Sequence, residues 1–169
     1  FIEAHTDLVK KLDYECELAV VLGKDAKDVP AGQTKDYVFG YTILNDVSAR
    51  DVQTAHKQWY LGKSLDGFTP IGPCIVTADA FADYPPRLGI RSFVNGEKRQ
   101  DSNTALQIFD IDHVIAELSQ GMTLKAGTII ATGTPAGVGM GMDPPQFLKP
   151  GDVVRCEIDG IGTLTNPVK

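Results

Sequence analysis

The sequence predicts a mostly β fold of the α+β class, with two or three short helices. Short apolar stretches separated by turn residues recur along the 169 residues, and 17 Gly and 10 Pro make turns frequent. Strands and helices do not alternate regularly, which disfavours a doubly wound sheet, and no internal repeat is found. With 43% hydrophobic and 22% charged residues, the chain is expected to form one globular domain over residues 1–169.

The first half of the chain contains the clearest strand signals. In residues 14–22 every second residue is apolar, and Glu15 and Glu17 stand on the opposite face at one end. A second strand is expected over residues 37–44, running directly towards Asp46. The alternation therefore predicts a buried strand with two acids at one end.

Two segments are expected to be helical. Ser48 and Asp51 have the spacing of a capping box, and helical spacing continues behind them to Trp59, which predicts a short helix in this segment. Apolar residues at i, i+3, i+4 and i+7 predict a second helix over residues 111–118, with Asp110 as its N-cap.

The remaining strand signals lie in the second half of the chain. The Asn95-Gly96 pair is typical of a type I′ turn, so the residues around it predict a hairpin. The strands expected in this half are residues 70–76, the hairpin at 90–98, residues 128–132 and 153–158, and a final hairpin around Gly160 and Gly162.

Composition restricts the partners and the compartment. The 16 Lys and Arg against 22 Asp and Glu give a net charge of −6 without a basic patch, so neither nucleic acid nor an anionic membrane is an expected partner. Neither a membrane span nor a signal peptide is expected from the apolar runs. The three cysteines, Cys16, Cys74 and Cys156, fit no disulfide framework or metal motif, which favours a reducing, cytoplasmic compartment.

Two glycine-rich stretches resemble nucleotide motifs but lack the required spacing. The segment Gly62-Lys63-Ser64 has Lys57 where a P-loop needs its first glycine, and residues 137–141 lack the G-x-G-x-x-G spacing. Serine-hydrolase chemistry is disfavoured because no G-x-S-x-G motif occurs. His56 and His113 lie on predicted helices and are assigned structural or surface positions.

Glu15, Glu17 and Asp46 are the informative set of ionisable residues. Carboxylates at i and i+2 of a strand point to the same side with Cα atoms about 6.5 Å apart, so both can reach one cation. Asp46 ends the next strand and can turn into the same cleft. Three carboxylates without a nearby His or Cys favour a hard ion, Mg²⁺, Mn²⁺ or Ca²⁺, over Zn²⁺. A solvated edge strand with exposed acids is the alternative interpretation.

Four polar residues are expected near these acids. Arg50 and Gln53 share a helix face that begins four residues after Asp46. Lys63 can supply a second positive charge for an anionic substrate or an enolate. Thr134 follows a predicted strand, where its hydroxyl and free backbone N–H groups suit a carboxylate. Taken singly, each of these residues also fits an ordinary surface position.

Four segments carry a specific signal when they are taken in order. They are DYECELAVVLG (residues 13–23), NDVSARDVQ (45–53), GKS (62–64) and TGTPAGVG (132–139). Together they resemble the fumarylacetoacetate hydrolase family, with matching order and spacing from about residue 12 to the C-terminus.

The resemblance implies a mixed β-roll, a homodimer and a divalent-metal-dependent enzyme for 2-oxo or β-diketo acids. By position in the motifs, the residues that match metal ligands are Glu15, Glu17 and Asp46. Those that match catalytic groups are Lys63, Arg50 and Gln53, and those that match substrate-binding groups are Thr134, Arg50 and Lys63. The activity implied is hydrolysis of a C–C bond in an acylpyruvate-type substrate through an enolate. Isomerisation or decarboxylation of hydroxymuconate-type or oxaloacetate substrates, and a non-enzymatic metal-stabilised β module, are the alternatives.

One feature of the family's hydrolases has no match in this sequence. Those enzymes carry a His and a Glu on a lid upstream of the acidic strand. Here His5 lies ten residues before Glu15, too close to match. We therefore expect a single catalytic domain that lacks the lid segment, and the base that activates water stays unassigned.

Overall fold

A computed structural model describes residues 1–55 and 57–169 of the chain. His56, which the sequence places on a helix, lies outside the described residues. The strands of the described part are β1 (Leu12–Asp13), β2 (Cys16–Leu22), β3 (Val38–Asn45), β4 (Ser48–Ala49), β5 (Ile71–Thr77), β6 (Gly89–Val94), β7 (Glu97–Asn103), β8 (Ile129–Ala131), β9 (Val153–Ile158) and β10 (Gly162–Pro167). The α-helices there are α1 (Arg50–Ala55), α2 (Tyr60–Lys63) and α3 (Ile111–Gly121).

Two four-stranded sheets contain most of the strands. One has the order β5-β3-β2-β8 and the other β10-β9-β6-β7, while β1 pairs with β4 alone. These pairs are antiparallel, and a parallel bridge joins Ile2 to Val168. The hydrophobic core lies between the two larger sheets, where β2 contacts β6 and β3 contacts β9. The mostly β, α+β class predicted from the sequence is confirmed.

The acidic strand β2 lies in the interior of its sheet. It pairs with β3 on one side and with β8 on the other. All seven of its residues are buried, including Glu17. The solvated edge strand considered as an alternative is therefore wrong, because β2 pairs with a strand on each side and its residues are buried.

The turn predicted at Asn95-Gly96 and the helix cap predicted at Asp110 are confirmed. Asn95 and Gly96 have φ values of 53° and 85° between β6 and β7, as a type I′ turn requires. Asp110 caps α3, since its Oδ1 accepts the His113 N–H at 2.8 Å. The helix then buries Ile111 and Ile115 against the core.

The capping box predicted after Asp46 is wrong. The Ser48 hydroxyl donates to the Asp46 carbonyl at 2.9 Å, and Ser48 lies in β4 rather than at a helix cap. The Asp51 carboxylate accepts the N–H of Lys10, from another part of the chain. In the described residues, α1 covers Arg50–Ala55 and α2 covers Tyr60–Lys63, so a short helix after Asp46 is present, but Trp59, which the helical spacing includes, lies outside α1.

None of the helices within the described residues has the length and apolar character that crossing a bilayer requires. Cys16, Cys74 and Cys156 are free, and no disulfide framework was expected.

Candidate active site

The three predicted acids converge at one end of the β5-β3-β2-β8 sheet. Glu15 directly precedes β2, Glu17 lies within it, and Asp46 directly follows β3. Because β2 and β3 are antiparallel with Cys16 opposite Asn45, the start of one strand meets the end of the other. One carboxylate oxygen from each of the three acids lies within 4.8 Å of the other two. The convergence expected from the i, i+2 spacing is therefore present.

The acids are sheltered from water to different degrees. Glu17 is 2% exposed, whereas the side chains of Glu15 and Asp46 keep 12% and 22% of their surface. Burial raises the pKa of Glu17 to about 8, and the N–H of Gly133, which donates to its Oε2 at 2.8 Å, opposes this shift. Burial also raises the pKa of Asp46, against the effect of its hydrogen bond to Lys63.

Two cations compensate the negative charge. Lys63 Nζ lies 2.9 Å from Glu15 Oε2 and 2.6 Å from Asp46 Oδ2. Arg50 Nη1 lies 2.6 Å from Glu15 Oε1 and also donates to Gln53 Oε1 at 3.3 Å. Arg50 and Gln53 are themselves buried. The helix face that carries them therefore points into the acid cluster, as the spacing predicted.

The structure adds Asp13, to which the sequence interpretation gave no role. Its carboxylate is fully buried, and it accepts from Arg50 Nε at 2.9 Å, Gly139 N at 2.7 Å and Met140 N at 3.0 Å. Asp13 thus holds together the Arg50 guanidinium and the glycine-rich loop formed by residues 137–141. The available signal was the alternation of Asp13 with Glu15 and the next acid, which extends the i, i+2 pattern by one step.

Thr134 lies at the cleft, but its hydroxyl is engaged with the protein. It donates to the Cys16 carbonyl at 2.8 Å and accepts from Gln100 Nε2 at 2.8 Å. Since a hydroxyl has one hydrogen, it cannot donate to a substrate carboxylate while this bond is made. The neighbouring Gly133 N–H donates to Glu17, and the Thr132 N–H donates to the Leu18 carbonyl. Among the described residues of this segment, this leaves the Thr134 N–H as the backbone donor for that role.

These residues surround one open cleft of about 540 Å³. All seven side chains predicted from the sequence line it: Glu15, Glu17, Asp46, Arg50, Gln53, Lys63 and Thr134. The lining residues that the sequence interpretation missed are Thr54, Trp59, Ala131, Gly133 and Met140. Two histidines lie elsewhere, since His5 Nε2 is 2.8 Å from the Asp66 carbonyl and His113 stacks on Phe109.

The close packing of two helices positions Lys63. A Cβ on Gly62 would lie 2.7 to 2.8 Å from backbone and Cβ atoms of Gln53, so only glycine lets α2 approach α1 this closely. We expect Gly62→Ala to lower the free energy of unfolding by about 1–3 kcal/mol, because the helices must separate. Chemical denaturation measures this change.

Gly121 provides a matched control in α3. A Cβ there meets no atom within 4 Å, so Gly121→Ala is expected to be neutral or to stabilise by up to about 1 kcal/mol. Equal stability of the Gly62→Ala and Gly121→Ala variants would contradict the packing requirement.

The donor set of the cluster fits a divalent cation. Three carboxylate oxygens within 4.8 Å of one another are hard ligands, typical of Mg²⁺, Mn²⁺ or Ca²⁺ sites. No His or Cys belongs to the cluster within the described part of the chain, which disfavours Zn²⁺. The exposed side of Asp46 and Glu15 leaves the cluster open to the cleft.

Comparison with known proteins agrees with the family resemblance found in the sequence. The family model for the fumarylacetoacetate (FAA) hydrolase C-terminal region matches residues 2–169. Oxaloacetate tautomerase YisK of Bacillus subtilis is 49% identical over 167 residues, which are 99% of this chain and 55% of that protein. The chain spans about half the length of the curated relatives it matches.

Solved structures show the same fold. The fumarylacetoacetate hydrolase EaFAH from psychrophilic Exiguobacterium antarcticum has a TM-score of 0.96 and 52% identity, over 99% of this chain and 60% of that one. The 2-hydroxyhepta-2,4-diene-1,7-dioate isomerase from Mycobacterium marinum has a TM-score of 0.86 and 44% identity, over 99% of this chain and 61% of that one.

Proposed function

Because the chain belongs to the fumarylacetoacetate hydrolase family, we propose that it is a divalent-metal-dependent enzyme that forms an enol or enolate from a 2-oxo acid. The observation that carries this proposal is the convergence of three carboxylates, an arginine and a lysine in one cleft. Mg²⁺ or Mn²⁺ is the proposed ion, with Ca²⁺ as the weaker candidate, and Glu15, Glu17 and Asp46 are the proposed ligands. The ion, when bound, supplies Lewis-acid chemistry at a 2-oxo group.

Arg50 is the proposed anchor for a substrate carboxylate. It is 5% exposed and lines the cleft, and its Nη2 is buried without a hydrogen-bond partner among the described residues. A buried guanidinium nitrogen that lacks a partner is costly, so we expect the guanidinium to turn towards the cleft and donate to a substrate carboxylate when one binds. Asp13 at Nε and Glu15 at Nη1 set the orientation of the guanidinium plane, and Gln53 accepts a longer hydrogen bond from Nη1.

Lys63 is the proposed stabiliser of the charge that develops on the substrate oxygen. Its ammonium group lies at the cleft with 18% of the side chain exposed, next to Glu15 and Asp46. A positive charge held in place before the reaction stabilises a developing oxyanion without further reorganisation. The proposed substrate is a 2-oxo acid. In a dicarboxylic substrate such as oxaloacetate, the second carboxylate would bind Arg50.

Decarboxylation, isomerisation or tautomerisation is proposed beside the C–C hydrolysis expected first from the sequence. Hydrolysis needs a base for the attacking water, and isomerisation and tautomerisation need a group that moves a proton at carbon, whereas decarboxylation needs no base. Among the described lining residues the ionisable groups are the three acids, which are assigned to the ion, and the cations Arg50 and Lys63. Relatives of this chain are named tautomerase and isomerase as well as hydrolase, and these reactions share the enol or enolate.

A comparison of reactions on one preparation tests the proposal. With Mg²⁺ present, we expect oxaloacetate tautomerisation or decarboxylation, and loss of this activity when EDTA removes the metal. Acylpyruvate hydrolysis is expected to be much slower. Efficient acylpyruvate hydrolysis would favour the hydrolase assignment. Turnover of none of the 2-oxo acids, together with no metal-dependent oxalate binding, would favour the non-enzymatic metal-stabilised module.

The homodimer and the cytoplasmic localisation stay predictions. Free cysteines at positions 16, 74 and 156 are compatible with a reducing compartment. Sedimentation or light scattering of the purified protein measures the oligomeric state.

A further inference from the structure

The segment after β8, which includes Gly133 and Thr134, forms the wall of the cleft next to Glu17. Backbone pairing of β2 with β8 covers the three residues of β8, and the Thr132 N–H adds one bond to the Leu18 carbonyl at 3.3 Å. Beyond them, the Thr134 hydroxyl donates to the Cys16 carbonyl, and the Gly133 N–H donates to the Glu17 carboxylate. The distance between these two segments therefore affects Glu17 directly.

Gln100 lies across this gap. It comes from β7, in the other large sheet, and is fully buried. Its Oε1 accepts the Cys16 N–H at 3.1 Å, and its Nε2 donates to the Thr134 hydroxyl at 2.8 Å and to the Pro135 carbonyl at 2.7 Å. Both amide hydrogens and the amide oxygen are thus used, and their partners belong to both walls of the cleft.

The place of Cys16 in the chain makes these bonds important for the acids. Cys16 lies between Glu15 and Glu17, its N–H bonds to Gln100, and its carbonyl bonds to Thr134. The peptide units on both sides of Cys16 are therefore held, and each of them includes the Cα of one acid. A shift of this residue would move both carboxylates.

The glycine-rich loop packs tightly against β7 at the same point. Gly137 has a φ of 108°, and a Cβ there would lie 2.1 Å from the Arg99 carbonyl oxygen and 3.2 Å from the Gln100 Cα. The Tyr14 hydroxyl also donates to the Gly137 carbonyl at 2.8 Å. The backbone around Gln100 is consequently fixed, and its amide reaches both walls from a defined position.

We propose that Gln100 is a positioning residue of the active site, which holds the backbone between Glu15 and Glu17 in place through Cys16 and Thr134. This inference rests on the proposed function, because it takes the two acids as metal ligands. Groups that orient ligands typically change metal affinity by about 10- to 100-fold when they are replaced. A buried glutamine with a purely structural role would change stability and leave affinity unchanged.

Mn²⁺ titration of the whole protein by calorimetry, together with chemical denaturation, tests the proposal. Gln100→Leu removes all three hydrogen bonds at similar side-chain volume, and we expect Mn²⁺ affinity to fall about tenfold in the folded variant. Ser119→Ala is the matched control. Ser119 is a buried residue of α3 whose hydroxyl accepts the Val29 N–H at 3.1 Å, and it does not line the cleft. Its loss is expected to lower stability and to leave Mn²⁺ affinity within about twofold.

The outcomes separate the two proposals. Mn²⁺ binding by the parent protein and equal binding by folded Gln100→Leu would overturn the positioning role alone. No Mn²⁺ binding by the parent protein would overturn the proposed function. If Gln100→Leu does not fold, Gln100→Met, which keeps the unbranched shape of glutamine, is used for the same measurement.

Discussion

Replacing Glu17 by Gln is expected to weaken Mn²⁺ binding at least about tenfold while the protein stays folded. The side chain is 2% exposed and shares the cluster with Glu15 and Asp46, so its charge is costly without a cation and valuable with one. Glutamine retains an oxygen that can accept the Gly133 N–H. Because burial raises the pKa of Glu17 to about 8, this carboxyl is mostly protonated in the metal-free protein near neutral pH, and the neutral amide of glutamine can replace it without unfolding the protein. Calorimetric titration with Mn²⁺ and a denaturation curve measure both parts.

Glu157→Gln is a suitable control for the loss of one negative charge. Glu157 lies on β9, where it pairs with Arg155 and does not line the cleft. We expect the Glu157→Gln variant to bind Mn²⁺ as tightly as the parent protein does, because a partly exposed ion pair has little energetic effect outside its immediate surroundings. Unchanged Mn²⁺ affinity in Glu17→Gln would remove Glu17 from the proposed ligand set.

The acid cluster could be predicted because its determinants are local. Two carboxylates at i and i+2 must share one side of a strand, and Asp46 follows the neighbouring strand directly. Antiparallel pairing of consecutive strands then brings Glu15 and Glu17 next to Asp46 without any knowledge of the rest of the fold. The Asn95-Gly96 turn could be predicted for the same reason, since its φ values depend on two residues.

The supporting residues could not be predicted because their partners are distant in sequence. Gln100 lies 84 residues from Cys16 and reaches it only after the two sheets pack. Asp13 lies 126 residues from Gly139, and its role depends on where the glycine-rich loop returns to the sheet. The close contact of Gly62 with Gln53 likewise depends on how α1 and α2 pack, which the helical spacing does not reveal.

Replacing Lys63 by Met is expected to lower kcat about 100- to 1,000-fold, with little loss of Mn²⁺ affinity. The methionine side chain keeps the length of the lysine stem and removes the charge that is proposed to act on the developing oxyanion. The ammonium lies 2.6 Å from Asp46 Oδ2 and 2.9 Å from Glu15 Oε2, so its loss increases the negative charge available to a cation. Mn²⁺ affinity should therefore stay equal or increase while turnover falls.

Steady-state kinetics with oxaloacetate and Mn²⁺ titration on the same samples separate these effects. Lys149→Met removes a positive charge from an exposed position that does not line the cleft, and its kinetics should match those of the parent protein. A parallel fall of affinity and kcat in Lys63→Met would indicate that Lys63 only maintains the acid cluster. Unchanged kinetics in Lys63→Met would show that Lys63 does not act on the substrate, in agreement with the alternative interpretation of Lys63 as an ordinary surface residue. A fall in kcat with unchanged Mn²⁺ affinity would indicate that Lys63 acts on the substrate. Such a group stabilises the transition state and contributes little to the binding of the ion.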